Sequence, residues 1–142
     1  MFAPFVLVAL AATIVSGFKN PIISGVNPDP SIARKGKDYF LATSSFEYFP
    51  GVPIYHSTDL IKWEVIGHAL NRPSQLDLRG TAPSGGVFAP TLRYNQKTDT
   101  FYMVTTPFHV ISPPDNTTLL PRSFYVSTKN IFDETAWSDP IW

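Results

Sequence analysis

Cysteine is absent from the 142 residues, which excludes disulfides and thiolate metal sites. The absence leaves secretion open, because a domain of this size can rest on a hydrophobic core instead. Charge imbalance is missing too: 11 basic residues stand against 11 acidic ones. A nucleic-acid protein would normally show a basic patch or stripe, so that class is disfavoured. No polybasic run marks a membrane surface. The three histidines, His56, His68 and His109, have no HxxxH spacing, and each reads as an ordinary strand or loop residue. No GxSxG elbow exists for a serine hydrolase. Ser84-Gly85-Gly86 reads as a turn, since no GK[ST] follows it. After the first 17 residues, no segment keeps a helical period.

Long apolar runs are scarce, and the one present is at the start. Phe5 to Val15 is mostly apolar and too short to span a bilayer, which takes about 20 residues. Ser16 and Gly17 follow, with Val15 at the −3 position, although Met1 to Pro4 lacks a basic residue. The expectation is a secretory signal over residues 1–17, a mature region over 18–142 and an extracellular product. Asn116-Thr117-Thr118 matches the N-glycosylation pattern, which makes Asn116 a candidate acceptor.

Short strands dominate the remainder. Ser31 to Arg34, a Lys-Gly-Lys-Asp turn, and Tyr39 to Thr43 are followed by VPIYHSTDL and KWEVIGHAL. These are β-branched and aromatic stretches bounded by Gly, Pro, Asp and Ser. The pattern then returns. PSIARKGKDYFLAT aligns with PTLRYNQKTDTFYMVT, and IYHSTDL with FYVSTKNIF. Pro30 matches Pro90, Tyr55 matches Tyr125, and Trp63 matches Trp137. Each copy predicts about four strands, the outermost bearing the tryptophan. Repeated four-stranded units of about 40–50 residues or longer mark a β-propeller. Propellers typically need about four to eight blades, so two copies predict the N-terminal piece of a longer, all-β protein.

One acid stands out. Asn27-Pro28-Asp29-Pro30-Ser31 holds a carboxylate between two prolines at the entry to the first inner strand. A following proline biases Asp29 towards extended or polyproline-like backbone. Such a residue is either a surface turn or a carboxylate aimed into the central channel. The equivalent start of the second copy, Ala89-Pro90-Thr91, has no acid, so the acid is not a repeat-wide feature. As a general base in an inverting glycosidase it would need a second carboxyl group roughly 6.5–9.5 Å away. Ser44 to Gly51 adds three aromatics in four residues, Phe46, Tyr48 and Phe49. They read either as a platform for the apolar face of a sugar or as a plug between blades. Phe88 opens the second inner strand in a channel-facing position.

These residues carry a family resemblance. NPDPS, DYFLATSSFEYFPGVPIYHSTDLIKW, LNRPSQL and GTAPSGGVFAP closely resemble the N-terminal part of glycoside hydrolase family 43. The likeness is strongest to its β-xylosidase and α-L-arabinofuranosidase members and runs from about Asn20 to Trp142. It implies a five-bladed β-propeller, of which about two blades are present. It implies hydrolysis of xylan-derived oligosaccharides or polysaccharides with inversion. Asp29 matches the family's general base. The family's second aspartate and its acidic glutamate lie beyond the WSDPI stretch, here Trp137 to Ile141, and neither Glu134 nor Asp139 aligns with them. Phe46 matches a phenylalanine that lines the sugar pocket. Phe88 stands where many bacterial members carry tryptophan. The stretch from His109 to Glu134 looks like secreted fungal members.

The resemblance therefore predicts a secreted glycosidase whose two-blade piece is inactive alone. The other reading is a non-catalytic carbohydrate-binding or interaction propeller; a glutamate and a second aspartate on later inner strands would separate the two. No cofactor is implied. Calcium occupies the channel in some members, and no ligand set for it is visible in these residues. Neither nucleic acid nor membrane is expected as a partner.

Overall fold

The computed structural model describes residues 17–110 and 119–142. The signal-like run, up to residue 16, and Asn116 lie outside the described residues. Two four-stranded antiparallel sheets follow one another along the chain. The first holds β1 (Ser31–Lys35), β2 (Asp38–Ala42), β3 (Gly51–Ser57) and β4 (Glu64–Leu70) in simple sequential order. The second holds β5 (Gly86–Asn95) and β6 (Thr100–Val110), with β7 (Leu119–Pro121) and β8 (Phe124–Thr128) pairing different halves of β6. Among the described residues the only helix is one short 3-10 turn, Glu134–Ala136, capped by Asp133.

The repeat read from the sequence is real in space. Tyr55 and Tyr125 each sit on the third strand of their sheet. Tyr55 pairs Leu41 on one side and Val65 on the other. Tyr125 pairs Val104 and, through a single bridge, Ile141. Tyr125 and Ile141 exchange both backbone hydrogen bonds there, so the free edge of β8 is paired at that point. The tryptophans are not on the outer strands as expected. Trp63 lies one residue ahead of β4 and donates its indole N–H to the Leu60 carbonyl. Trp137 follows the 3-10 turn and is buried in the core. Both tryptophans precede an outer-edge pairing, Trp63 that of β4 and Trp137 that of Ile141, a position that sequence alignment cannot separate from strand membership.

The core lies between the sheets. Alternation along the strands places Ala33, Phe40, Ala42 and Ile54 of the first sheet, and Leu92, Phe101, Met103 and Val126 of the second, in one buried cluster. Phe40 meets Phe101 edge-on at 5.1 Å between ring centroids. That geometry suits the ring quadrupoles. Polar ties reinforce the sheet-to-sheet contact. Leu92 N–H donates to Ser31 Oγ at 3.0 Å, and Lys35 is paired with Asp99. Beyond β4, Arg72 reaches Asp139 at 2.9 Å, and Gln75 Nε2 donates to the Ser138 carbonyl at 2.9 Å. The inner strands β1 and β5 lie against one another across this junction. Two sheets packed face to face with their first strands innermost are adjacent propeller blades.

Candidate active site

The site is built where the two inner strands begin. Asn27 to Pro30 leads into β1, and the segment after β2 crosses above it towards β5. The NPDP stretch is tied down at its first two residues. Tyr55 Oη donates to Asn27 Oδ1 at 2.7 Å, and Ser44 N–H donates to the Pro28 carbonyl at 3.0 Å. Burial raises the Tyr55 pKa above its ordinary value, so the phenol stays a donor through neutral pH. Asp29 itself is exposed. Its Oδ2 accepts a 2.6 Å hydrogen bond from Ser44 Oγ, while Oδ1 takes none among the described residues.

The backbone at Asp29 departs from the sequence expectation. Its φ is +51°, not the extended value that a following proline favours. Aspartate tolerates the left-handed region better than most residues, and the two hydrogen bonds from Ser44 hold it there. Ala89, the repeat equivalent of Asp29, has φ +42°, and Phe46 has φ +48°. Strained non-glycine backbone costs about 1–3 kcal/mol per residue and persists only where surroundings impose it. At Ala89 the β5–β6 register also slips, between Phe88 and Thr91. The bend belongs to the blade design; the carboxylate belongs to the first blade alone.

Phe46 is half-buried and belongs to both blades. Its N–H donates to the Val87 carbonyl, and Val87 N–H donates back to the Phe46 carbonyl, each at 3.0 Å. Its ring meets Phe88 edge-on at 5.0 Å, and Phe88 meets Phe108 likewise at 5.0 Å. Thr105 Oγ1 fixes the Phe88 carbonyl at 2.7 Å. The three rings form one apolar wall. Tyr48 and Phe49, also in the aromatic loop, project into solvent instead. The structure thus brings Asp29, Phe46 and Phe88 to one end of the inner strands. Two members of the group were not anticipated: Ser44 and Phe108. Phe108 stands opposite Gly86 in the β5–β6 ladder, a pairing that follows once the hairpin register is known. Ser44 carries no signal beyond its place before the aromatic loop.

The family model described as glycosyl hydrolases family 43 matches residues 18–142. The chain belongs to that family. This family-43 chain is 50% identical over 126 residues to a non-reducing end alpha-L-arabinofuranosidase of Bacteroides ovatus, an alignment covering 88% of the chain and 22% of the relative. It is 45% identical over 123 residues to a xylan 1,3-beta-xylosidase of a Vibrio species, covering 87% and 22%. Among solved structures, xylan beta-1,4-xylosidase from Bacillus halodurans superposes with a TM-score of 0.78 at 43% identity, over 88% of this chain and 23% of that one. The chain therefore spans about 22% of the length of the curated relatives it matches. A xylosidase/arabinosidase of Humicola insolens is 44% identical over 124 residues, covering 87% of this chain and 22% of the relative, so these identities favour neither a fungal nor a bacterial origin. For calcium, the described residues of this family-43 chain offer no group of three or more His, Asp or Glu that fits an ion.

The aromatic wall makes a prediction. Phe46→Ala removes one of two edge-to-face partners of Phe88 and opens the apolar wall. Aromatic pairs contribute about 0.5–1.5 kcal/mol beyond burial, so KM is expected to rise about tenfold with a smaller change in kcat. Steady-state kinetics of the whole enzyme on an aryl β-xyloside checks this, and an unchanged KM would show that the Phe46 ring takes no part in substrate binding.

Proposed function

We propose that the protein carrying this chain is a secreted glycoside hydrolase acting on xylan-derived glycosides, as a β-xylosidase, an α-L-arabinofuranosidase or both. The observation that carries the reading is a lone, exposed carboxylate held rigidly beside a three-ring wall at the start of the inner strands. Family membership and the two activities printed for the relatives set the substrate class. Location outside the cell rests on the apolar run in residues 1–17.

In this reading a sugar lays its C–H face on Phe46, Phe88 and Phe108. Asp29 accepts a proton from a water molecule whose oxygen attacks the anomeric carbon from the face opposite the leaving group. The C–O bond to the leaving group breaks, and its oxygen takes a proton from a carboxylic acid across the channel. Configuration is inverted because water attacks directly. No residue between 17 and 142 is assigned as that acid, so residues 18–142 alone are expected to bind sugar weakly and turn nothing over. The test uses the whole enzyme with aryl β-D-xyloside and aryl α-L-arabinofuranoside, followed by proton NMR of the first sugar released. From the xyloside, α-xylose should appear before mutarotation. Initial β-xylose would refute inversion, and no turnover of either glycoside would refute the substrate class.

A further inference from the structure

We propose that Ser44 is the positioning residue for the base, fixing which carboxylate oxygen of Asp29 receives the proton from water. The proposal rests on the reading of Asp29 as general base. Ser44 is 5% exposed, and its hydroxyl lies between two partners on different blades. Ala89 N–H reaches Ser44 Oγ at 2.7 Å, and Ser44 Oγ reaches Asp29 Oδ2 at 2.6 Å. The direction of the chain follows from donor chemistry. A backbone N–H can only donate, so the hydroxyl oxygen accepts from Ala89. The single hydroxyl hydrogen is then left for the carboxylate, which in its ionised form can only accept.

Three consequences follow. Oδ2 is engaged by the Ser44 hydroxyl, while Oδ1 accepts no hydrogen bond among the described residues, so Oδ1 is the oxygen left open to water. The Ser44 backbone N–H also holds the Pro28 carbonyl, so one residue grips the NPDP stretch at two adjacent points. Finally, the far end of the chain is Ala89, the residue after Phe88. The base and the sugar-facing wall are thereby spaced by two hydrogen bonds rather than by loop packing alone. Reacting atoms misplaced by about 1 Å can lose about 10² in rate, so this spacing bears on catalysis.

The experiment compares Ser44→Ala, Ser44→Cys, Ser44→Thr and Asp29→Asn in the whole enzyme, by steady-state kinetics and thermal unfolding. Ser44→Ala is expected to lower kcat about 10- to 100-fold with KM little changed, because placement is lost while the wall remains. Ser44→Thr keeps the hydroxyl and is expected to recover most of kcat. Ser44→Cys fills similar space but donates weakly, and should fall between them. If Asp29→Asn is inactive and Ser44→Ala keeps wild-type kcat, the positioning role is overturned and the base stands. A raised KM and lowered melting temperature at unchanged kcat per folded enzyme would also overturn it, leaving a structural role. Full activity of Asp29→Asn would overturn the base and the proposal together. Should Ser44→Ala fail to fold, Ser44→Cys decides by the same separation of kcat from KM.

Discussion

Replacing Asp29 by asparagine is expected to cut kcat by about 10²–10⁴-fold, the usual contribution of a general base, while KM and melting temperature stay close to wild type. Asparagine is the informative substitution here. It tolerates the +51° φ of this position and can still accept the Ser44 hydroxyl, yet it cannot take a proton from water. Alanine should lose turnover equally and add a cost of its own. It is strained at positive φ and leaves the buried Ser44 hydroxyl without its acceptor. Together these should lower stability by about 1–3 kcal/mol. Kinetics and denaturant unfolding of the two variants separate chemistry from folding. Wild-type kcat in Asp29→Asn would end the assignment of Asp29 as base.

Gly86→Ala is expected to be the most destabilising single methyl addition among the glycines at the blade junction. A Cβ at this position would stand 2.1 Å from the Phe46 carbonyl oxygen and 2.4 Å from its carbon, and the residue's φ is +94°. Neither atom belongs to a flexible side chain, so the backbone itself would have to move. Overpacking costs about 1–3 kcal/mol and positive φ a similar amount, giving about 2–6 kcal/mol in all. The movement would open the Phe46–Val87 bridge and separate the Phe46 and Phe88 rings. Gly36→Ala is the matched control: its φ is +61°, but nothing lies within 4 Å of the added methyl. It should cost only about 1 kcal/mol. Equal losses in the two variants, measured by urea unfolding, would refute the close approach.

Much of this arrangement is legible in the sequence. The repeat fixed where strands start and stop, because Pro, Gly and Asp turns recur between β-branched runs at matched positions. Asp29, Phe46 and Phe88 were picked out by chemistry that is unusual in a connecting loop, and they do meet. The misses have a common cause. The φ of Asp29 is imposed by hydrogen bonds from residue 44, and local proline bias is weaker than two such bonds. Ser44 and Phe108 matter through contacts 15 and 20 residues away, to Asp29 and Phe88, which no local pattern encodes. Tertiary packing decided each of these.

The proposed base sits on one blade, and two of the three rings sit on the next. Angular error between blades is therefore converted directly into error in the site. A rotation of about 5° acting over a lever arm of about 10 Å displaces an atom by about 0.9 Å, near the scale at which rate falls about 10²-fold. The buried Phe40–Phe101 contact between the sheets, with the exposed Lys35–Asp99 and Arg72–Asp139 pairs at its rim, holds this angle, and none of these contacts carries chemistry. They act as goniometer screws: far from the sugar, they set the bearing of the base on its target.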